Sequence, residues 1–212
     1  MLAPVGDLAA EPIGVVLAGG LGRRLGGDKA VTALGGRPLI AYPLAAMRAA
    51  VANVAIVAKA DTLLPGPEQL DGAEVWIEPP QPRHPLVGIL HALRAARGRA
   101  VLVCASDMPL VTAAALRALA VADAGPAPAV LACSPDGAMQ PLLGRYEPAA
   151  AALLERAAGE AAAPVRAAVA AIGPRLVALD DPVILFNVNS PGDLIRAEAI
   201  LAEGGQPGAR RA

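Results

Sequence analysis

The sequence predicts a three-layer α/β fold, in which helices cover both faces of a mostly parallel sheet that carries one small antiparallel excursion. Three observations point there. Short apolar runs recur between longer segments of helical period. The runs are continuous and do not alternate with polar residues, as expected of strands buried on both faces. Alanine makes up about a quarter of the 212 residues and aromatics only 2%, so the hydrophobicity comes from small side chains that let helices pack closely on a sheet.

The elements follow in order. Ile13 to Leu17 reads as the first strand, and residues 54–58, 75–77, 100–105 and 129–132 repeat its character. Helical period fills residues 39–50, 86–96 and 112–122, which gives a βαβ rhythm. Beyond Ala132, Ser134-Pro135-Asp136-Gly137 reads as a turn between two short strands. Helices are expected over 148–158 and 164–172, and residues 183–186 read as a last short strand. Ser190-Pro191-Gly192-Asp193 has the form of a helix start, with Ser at the N-cap, Pro in the first turn and Asp three residues after the cap. Gly204 and Gly205 end that helix. Residues 1–11 and 205–212 read as flexible tails, which leaves 12–204 as one domain. No internal repeat is present.

Composition excludes several classes of function. The 18 Lys and Arg nearly balance the 19 Asp and Glu, and one Phe, one Trp and two Tyr supply few stacking surfaces, so nucleic-acid binding is not expected. No run of about 18 apolar residues passes without a charge, Gly or Pro. Asp7 and Glu11 stand where a secretory signal carries basic residues, and the chain reads as cytoplasmic with no membrane partner. Cys104 and Cys133 lie in apolar runs without His or Cys at metal-ligand spacing, so they read as buried thiols.

The most informative stretch runs from Leu17 to Lys29, thirteen residues holding five glycines and three cations directly after the first strand. Glycines let backbone N–H groups approach anionic oxygens, and Arg and Lys add charge, so the loop is suited to phosphate. It is not a dinucleotide fingerprint, because Leu25 stands where the third glycine belongs and no acidic residue follows about 20 positions on. It is not a Walker A loop either, because Lys29 sits between Asp28 and Ala30. Asp107 lies just past the apolar run ending at Ala105, at the carboxyl end of a strand, where ligands bind in open α/β sheets and where one carboxylate can help hold magnesium. A turn or cap role before Met108-Pro109 is the plainer alternative for it.

Leu-Ala-Gly-Gly, Arg-Arg-Leu-Gly and Asp-Lys within residues 17–29 resemble the signature of the molybdenum cofactor guanylyltransferases, part of the superfamily of Rossmann-like nucleotidyltransferases. Ser106-Asp107-Met108-Pro109-Leu110 is similar to that family's Cys-Asp-Met-Pro element. Residues 186–194, Phe-Asn-Val-Asn-Ser-Pro-Gly-Asp-Leu, are similar to its Asn-x-Asn-Thr-Pro-x-Asp-Leu. Pro85-Leu86-Val87-Gly88 and Gln140-Pro141-Leu142-Leu143 match weaker elements between them.

The resemblance implies a nucleotidyltransferase fold and transfer of GMP from GTP to the phosphate of molybdenum-molybdopterin, giving the guanine dinucleotide cofactor and pyrophosphate, with Mg2+ as cofactor. It also implies, as partner proteins, the molybdenum-inserting enzyme and the acceptor molybdoenzymes. Nucleotide binding would fall to Leu17, Ala18, Gly19, Gly20, Arg23, Arg24, Lys29 and Asp107. Lys29, Asp107 and Arg24 would be catalytic, Asp107 would hold the metal, and Asn187 and Asn189 would face the second substrate. Backbone groups near Leu17 and Ala18 are expected to read the guanine edge.

The sequence departs from the family pattern at Lys59, where Asn is expected, and at Glu78-Pro79 after the third strand. Gly22 and Leu25 are milder changes. Of the two histidines, His84 lies in a Pro-rich loop facing the expected cleft, while His91 reads as structural within a helix. Asp28 can steady a loop cation, and Asp180-Asp181 reads as a turn. Two other functions remain open: a cytidylyltransferase for the same cofactor, or a relative with another phosphorylated acceptor, and a non-catalytic nucleotide-binding module. Gly19 bears on the first, because the cytidylyl relatives usually carry Leu-Ala-Ala-Gly there. Intact Lys29 and Asp107 bear on the second.

Overall fold

The computed structural model describes residues 11–19, 25, 27, 29–158, 163–179 and 181–204. Its strands are β1 (Ile13–Leu17), β2 (Ala33–Leu34), β3 (Arg37–Pro38), β4 (Val54–Ala58), β5 (Glu74–Ile77), β6 (Val101–Ala105), β7 (Ala129–Cys133), β8 (Met139–Tyr146) and β9 (Arg175–Ala178). Its α-helices are α1 (Ala41–Arg48), α2 (Pro85–Ala95), α3 (Ala113–Val121), α4 (Ala150–Ala158), α5 (Val165–Ala171) and α6 (Pro191–Gly204).

Seven strands form one sheet in the order β5-β4-β1-β6-β8-β7-β9. β1 pairs in parallel with β4 and β6, and β4 with β5. β8 pairs antiparallel with both its neighbours, β6 and β7, which is the expected excursion. The 134–137 turn connects β7 to β8, and Gly137 takes φ +82° in it. Successive side chains of a strand point to opposite faces, so β1 sends Val16 into one apolar layer and Val15 and Leu17 into the other. The first layer is completed by Leu44 and Met47 of α1 and by Leu116 and Leu119 of α3. The second is completed by Ile89 and Leu93 of α2, Leu154 of α4 and Val169 of α5. Each such fully buried side chain contributes about 1.5–3 kcal/mol. Gly14 lets α1 lie this close to β1: a Cβ there would stand 2.5 Å from Met47 Cγ. Cys104 and Cys133 are both buried free thiols. Among the described residues no helix is long and apolar enough to cross a membrane.

One local expectation is corrected and two further elements are found. Residues 183–186 are not a strand: Pro182–Leu185 form a 3₁₀ turn, with the Asp181 carboxylate accepting from the Val183 N–H at 3.0 Å. An Asp cap followed by Pro starts a helical turn, and that local chemistry overrides the β-branched residues. β9 was not anticipated, because it is a four-residue edge strand that opens with Arg175 and is largely exposed. The β2–β3 hairpin was also missed. Its signal is Gly35-Gly36, at φ +53° and +78°, the two left-handed positions that a tight hairpin turn requires. The helix start expected at Ser190 is present, and Thr112, read as the first helical residue, is instead the N-cap of α3. Thr112 Oγ1 accepts from Ala115 N–H at 3.1 Å. At α6 the Asp193 carboxylate accepts from Asn189 N–H at 3.0 Å and from the Ser190 hydroxyl at 2.8 Å. The tail expected over 205–212, and that over 1–11 apart from Glu11, lie outside the described residues.

Candidate active site

The chain steps from β1 to β4 to β5 in one direction and then crosses by way of α2 to β6, on the other side of β1. At such a reversal the connections leave in opposite directions and a crevice opens beyond the carboxyl ends of the strands. A cavity of about 260 Å³ lies there. Lys29 and Asp107 line it beside β6, and Lys59 and Glu78 line it beside β4 and β5.

At the β6 side three distant segments meet. The Lys29 ammonium, in a 3₁₀ turn over Lys29–Val31, donates to Asp107 Oδ2 at 2.5 Å and to Asn189 Oδ1 at 2.7 Å. Among the described residues two of its three protons are thus engaged, which leaves one for an anionic oxygen. The Asp107 carbonyl accepts from Val188 N–H at 2.9 Å, which fastens the segment before α6 to the end of β6. Asp107 Oδ1 is buried and, among the described residues, has no hydrogen-bond partner. A buried carboxylate oxygen left over beside the lysine pair at a strand end fits a hard divalent cation held by one carboxylate, with substrate oxygens and water completing its shell. Among the described residues no group of three or more His, Cys, Asp or Glu side chains forms a ready cage, so Asp107 is the residue that would hold such an ion.

The structure therefore brings together Lys29, Asp107 and Asn189 of the sequence-predicted set. Asn187 differs: its amide donates to the Leu185 carbonyl at 2.9 Å and braces the 3₁₀ turn. Gly20, Arg23, Arg24 and Asp28 lie outside the described residues. The backbone expected to read a base is partly committed to the sheet. The Leu17 carbonyl accepts from Ser106 N–H at 3.0 Å, and the Ala18 N–H donates to the Val57 carbonyl at 2.8 Å. Leu17 and Gly19 still line the cavity.

The polar groups at the β4–β5 side are side chains that the sequence presents only as departures from a family pattern. Lys59 is 2% exposed and Glu78 5%. Their ion pair spans 3.2 Å from Nζ to Oε1, and Nζ also donates to the Pro79 carbonyl at 2.6 Å. The signal was available: each is the first charged residue after an apolar parallel strand, and that position falls at the carboxyl edge of the sheet. Glu78 Oε1 lies over Gly19, 2.8 Å from where a Cβ would stand. Arg83, another cavity residue, pairs with Asp61. His84 lines the cavity and caps α2, its Nδ1 accepting from Leu86 N–H at 3.3 Å. His91, inside α2, has its pKa held below the ordinary imidazole value by burial, with the Glu78 charge pulling the other way.

Comparison with known proteins identifies the family and the fold. Residues 14–175 match the family described as the MobA-like NTP transferase domain. A molybdenum cofactor guanylyltransferase of Acidiphilium cryptum is 39% identical over 204 residues, covering 90% of this chain and 98% of that protein. One from Cereibacter sphaeroides is 36% identical over 195 residues, covering 89% and 96%. Among solved structures, molybdopterin-guanine dinucleotide biosynthesis protein A from Archaeoglobus fulgidus superposes with a TM-score of 0.72 at 26% identity, covering 90% of this chain and 99% of that one. The 2-C-methyl-D-erythritol 4-phosphate cytidylyltransferase of Thermus thermophilus shares the fold, with a TM-score of 0.61 at 23% identity over 90% of this chain and 99% of its own. With residues 14–175 matching the family model and 36–39% identity to these two guanylyltransferases over about nine-tenths of its length, the chain belongs to the MobA-like NTP transferase family.

Proposed function

We propose that this protein transfers GMP from GTP to the phosphate of molybdenum-molybdopterin, releasing pyrophosphate and forming the guanine dinucleotide cofactor, and that it does so in the cytoplasm. The observation that carries this reading is the convergence of Lys29 and Asp107 on the cavity at the strand reversal, in a chain whose relatives bear the guanylyltransferase name.

The nucleophile is an oxygen of the molybdopterin phosphate, already an anion, so the reaction needs no general base. The attacking oxygen forms a bond to the α-phosphorus in line with the departing pyrophosphate, and the α–β bridging oxygen leaves with the bond electrons. The barrier lies in bringing two polyanions together and in stabilising charge on the leaving group. Lys29 supplies a fixed positive charge at the phosphate end, with Asp107 and Asn189 orienting it. Asp107, through its free Oδ1, would hold Mg2+, which when bound neutralises phosphate charge. Arg23 and Arg24 add bidentate contacts to the triphosphate. At the other end, Glu78 faces the base: a carboxylate accepts and cannot donate, which suits the adjacent N1–H and N2–H₂ donors of guanine. The Asn189 side of the cavity takes the molybdopterin, supplied by the molybdenum-inserting enzyme and passed on to acceptor molybdoenzymes.

Pyrophosphate release from GTP and Mg2+, measured with and without a source of molybdenum-loaded molybdopterin, tests this reading. Release that requires the acceptor supports it. GTP binding without release in either arm would favour a non-catalytic module.

A further inference from the structure

Lys59 and Glu78 are the two most deeply buried charged residues beside the cavity, at 2% and 5% exposure. They come from neighbouring strand ends held in register, because β4 and β5 pair with Ala58 opposite Ile77 and the Glu78 N–H donates to the Ala58 carbonyl at 2.9 Å. The two carboxylate oxygens are not equivalent. Oε1 takes the Lys59 ammonium at 3.2 Å and lies over Gly19. Oε2 is buried, has no hydrogen-bond partner among the described residues, and lies 3.4 Å from the place a Gly88 Cβ would occupy. Gly19 and Gly88 both line the cavity. An unpaired buried carboxylate oxygen is costly to the folded state, so its persistence in the cavity wall marks an acceptor awaiting a donor.

Lys59 cannot be freely repositioned. Its ammonium is anchored a second time by the Pro79 carbonyl at 2.6 Å, so it fixes where Oε1 sits and thereby where Oε2 sits. We propose that Lys59 is a positioning residue for base selectivity: it holds Glu78 with Oε2 presented to the purine, and selectivity for GTP over CTP depends on Lys59 although Lys59 need not touch the base. This rests on GTP being the nucleotide. Cytosine offers acceptors at N3 and O2 beside its one amino group, and a fixed acceptor-only carboxylate opposes them, whereas guanine offers two adjacent donors. Without the ammonium, the carboxylate loses its fixed direction.

The test is a cycle of four proteins, wild type, K59M, E78Q and K59M/E78Q, each titrated calorimetrically with GTP and with CTP in Mg2+ and no acceptor, beside a thermal melt of each. The wild type should prefer GTP by on the order of 100-fold, K59M should lose about tenfold or more of that preference, and K59M added to E78Q should change the preference by less than about twofold, as expected of residues acting as one unit. If K59M does not fold, equality between E78Q and the double variant, which removes the charge of both partners, carries the same meaning. A K59M protein with a lowered melting point and an unchanged GTP/CTP ratio would show Lys59 to be structural only and overturn the proposal. Equal loss of preference in both backgrounds would mean that Lys59 contacts the nucleotide itself, and would overturn it too. No preference in the wild type would remove the GTP reading on which the proposal rests, whereas preference in the wild type with no coupling removes the proposal alone.

Discussion

Lys29 and Asn189 lie 160 residues apart in the chain, yet the Lys29 ammonium donates to the Asn189 side-chain oxygen at 2.7 Å while holding Asp107 at 2.5 Å. The segment before α6 is therefore fastened to the Lys29–Asp107 corner of the cavity. Asn189→Ala should lower kcat/KM for pyrophosphate release by roughly 10- to 100-fold, the worth of one hydrogen bond to a charged group. Asn187→Ala, whose amide among the described residues serves the Leu185 carbonyl, should stay within about threefold and appear instead as a lower melting temperature. Equal kinetic losses would return Asn187 to the substrate side.

Asp107→Asn keeps the shape and one carbonyl oxygen but removes the charge facing Lys29 and the buried Oδ1. Mg2+-dependent transfer should fall by several orders of magnitude while the protein folds and retains part of its GTP affinity. Were Asp107 only a turn residue, Asn would serve nearly as well and the change would cost at most about 1 kcal/mol of stability. Steady-state rates against Mg2+ concentration, run beside a thermal melt, separate these outcomes.

Gly19→Ala places a methyl carbon 2.8 Å from Glu78 Oε1, closer than unbonded atoms tolerate. The carboxylate must yield, because it is the movable partner, and the Lys59 pair yields with it. GTP affinity should drop by about tenfold or more while CTP affinity changes little, as read by competition binding. A uniform loss for both nucleotides would assign the effect to the loop backbone.

Burial depresses the His91 pKa in the folded state, so between the folded value and the ordinary value near 6.5 the unfolded chain binds more protons. Stability should then rise with pH through that window and fall as the pH drops below about 6.5. Comparing melts of wild type and His91→Gln from pH 5 to 8 isolates this contribution, which should vanish in the variant. An identical pH slope in the two proteins would show that His91 is solvated in the folded state.

The sheet was legible because continuous apolar runs such as residues 54–58 and 101–105 can hardly be anything other than doubly covered strands. The strand reversal that locates the site follows from topology and was legible only through where Asp107 falls relative to its strand. What stayed hidden depends on contacts between distant segments. Nothing local marks Lys59 as the partner of Glu78, since the pair forms only when β4 and β5 lie side by side. Lys29 reads as a cation of the phosphate-suited loop, and nothing in its own segment announces that it bridges Asp107 and Asn189. β9 was missed because its pairing with β7 gives a four-residue edge its identity, and four mixed residues carry too little pattern of their own.

The most direct test of guanylyl transfer is a single competition: the purified protein with equimolar GTP, CTP and ATP, Mg2+ and molybdenum-loaded molybdopterin, the dinucleotide product being identified by mass. The guanine dinucleotide should form in large excess, with one pyrophosphate released per product. A predominantly cytosine product, or no dinucleotide from a protein that still binds GTP, would contradict it.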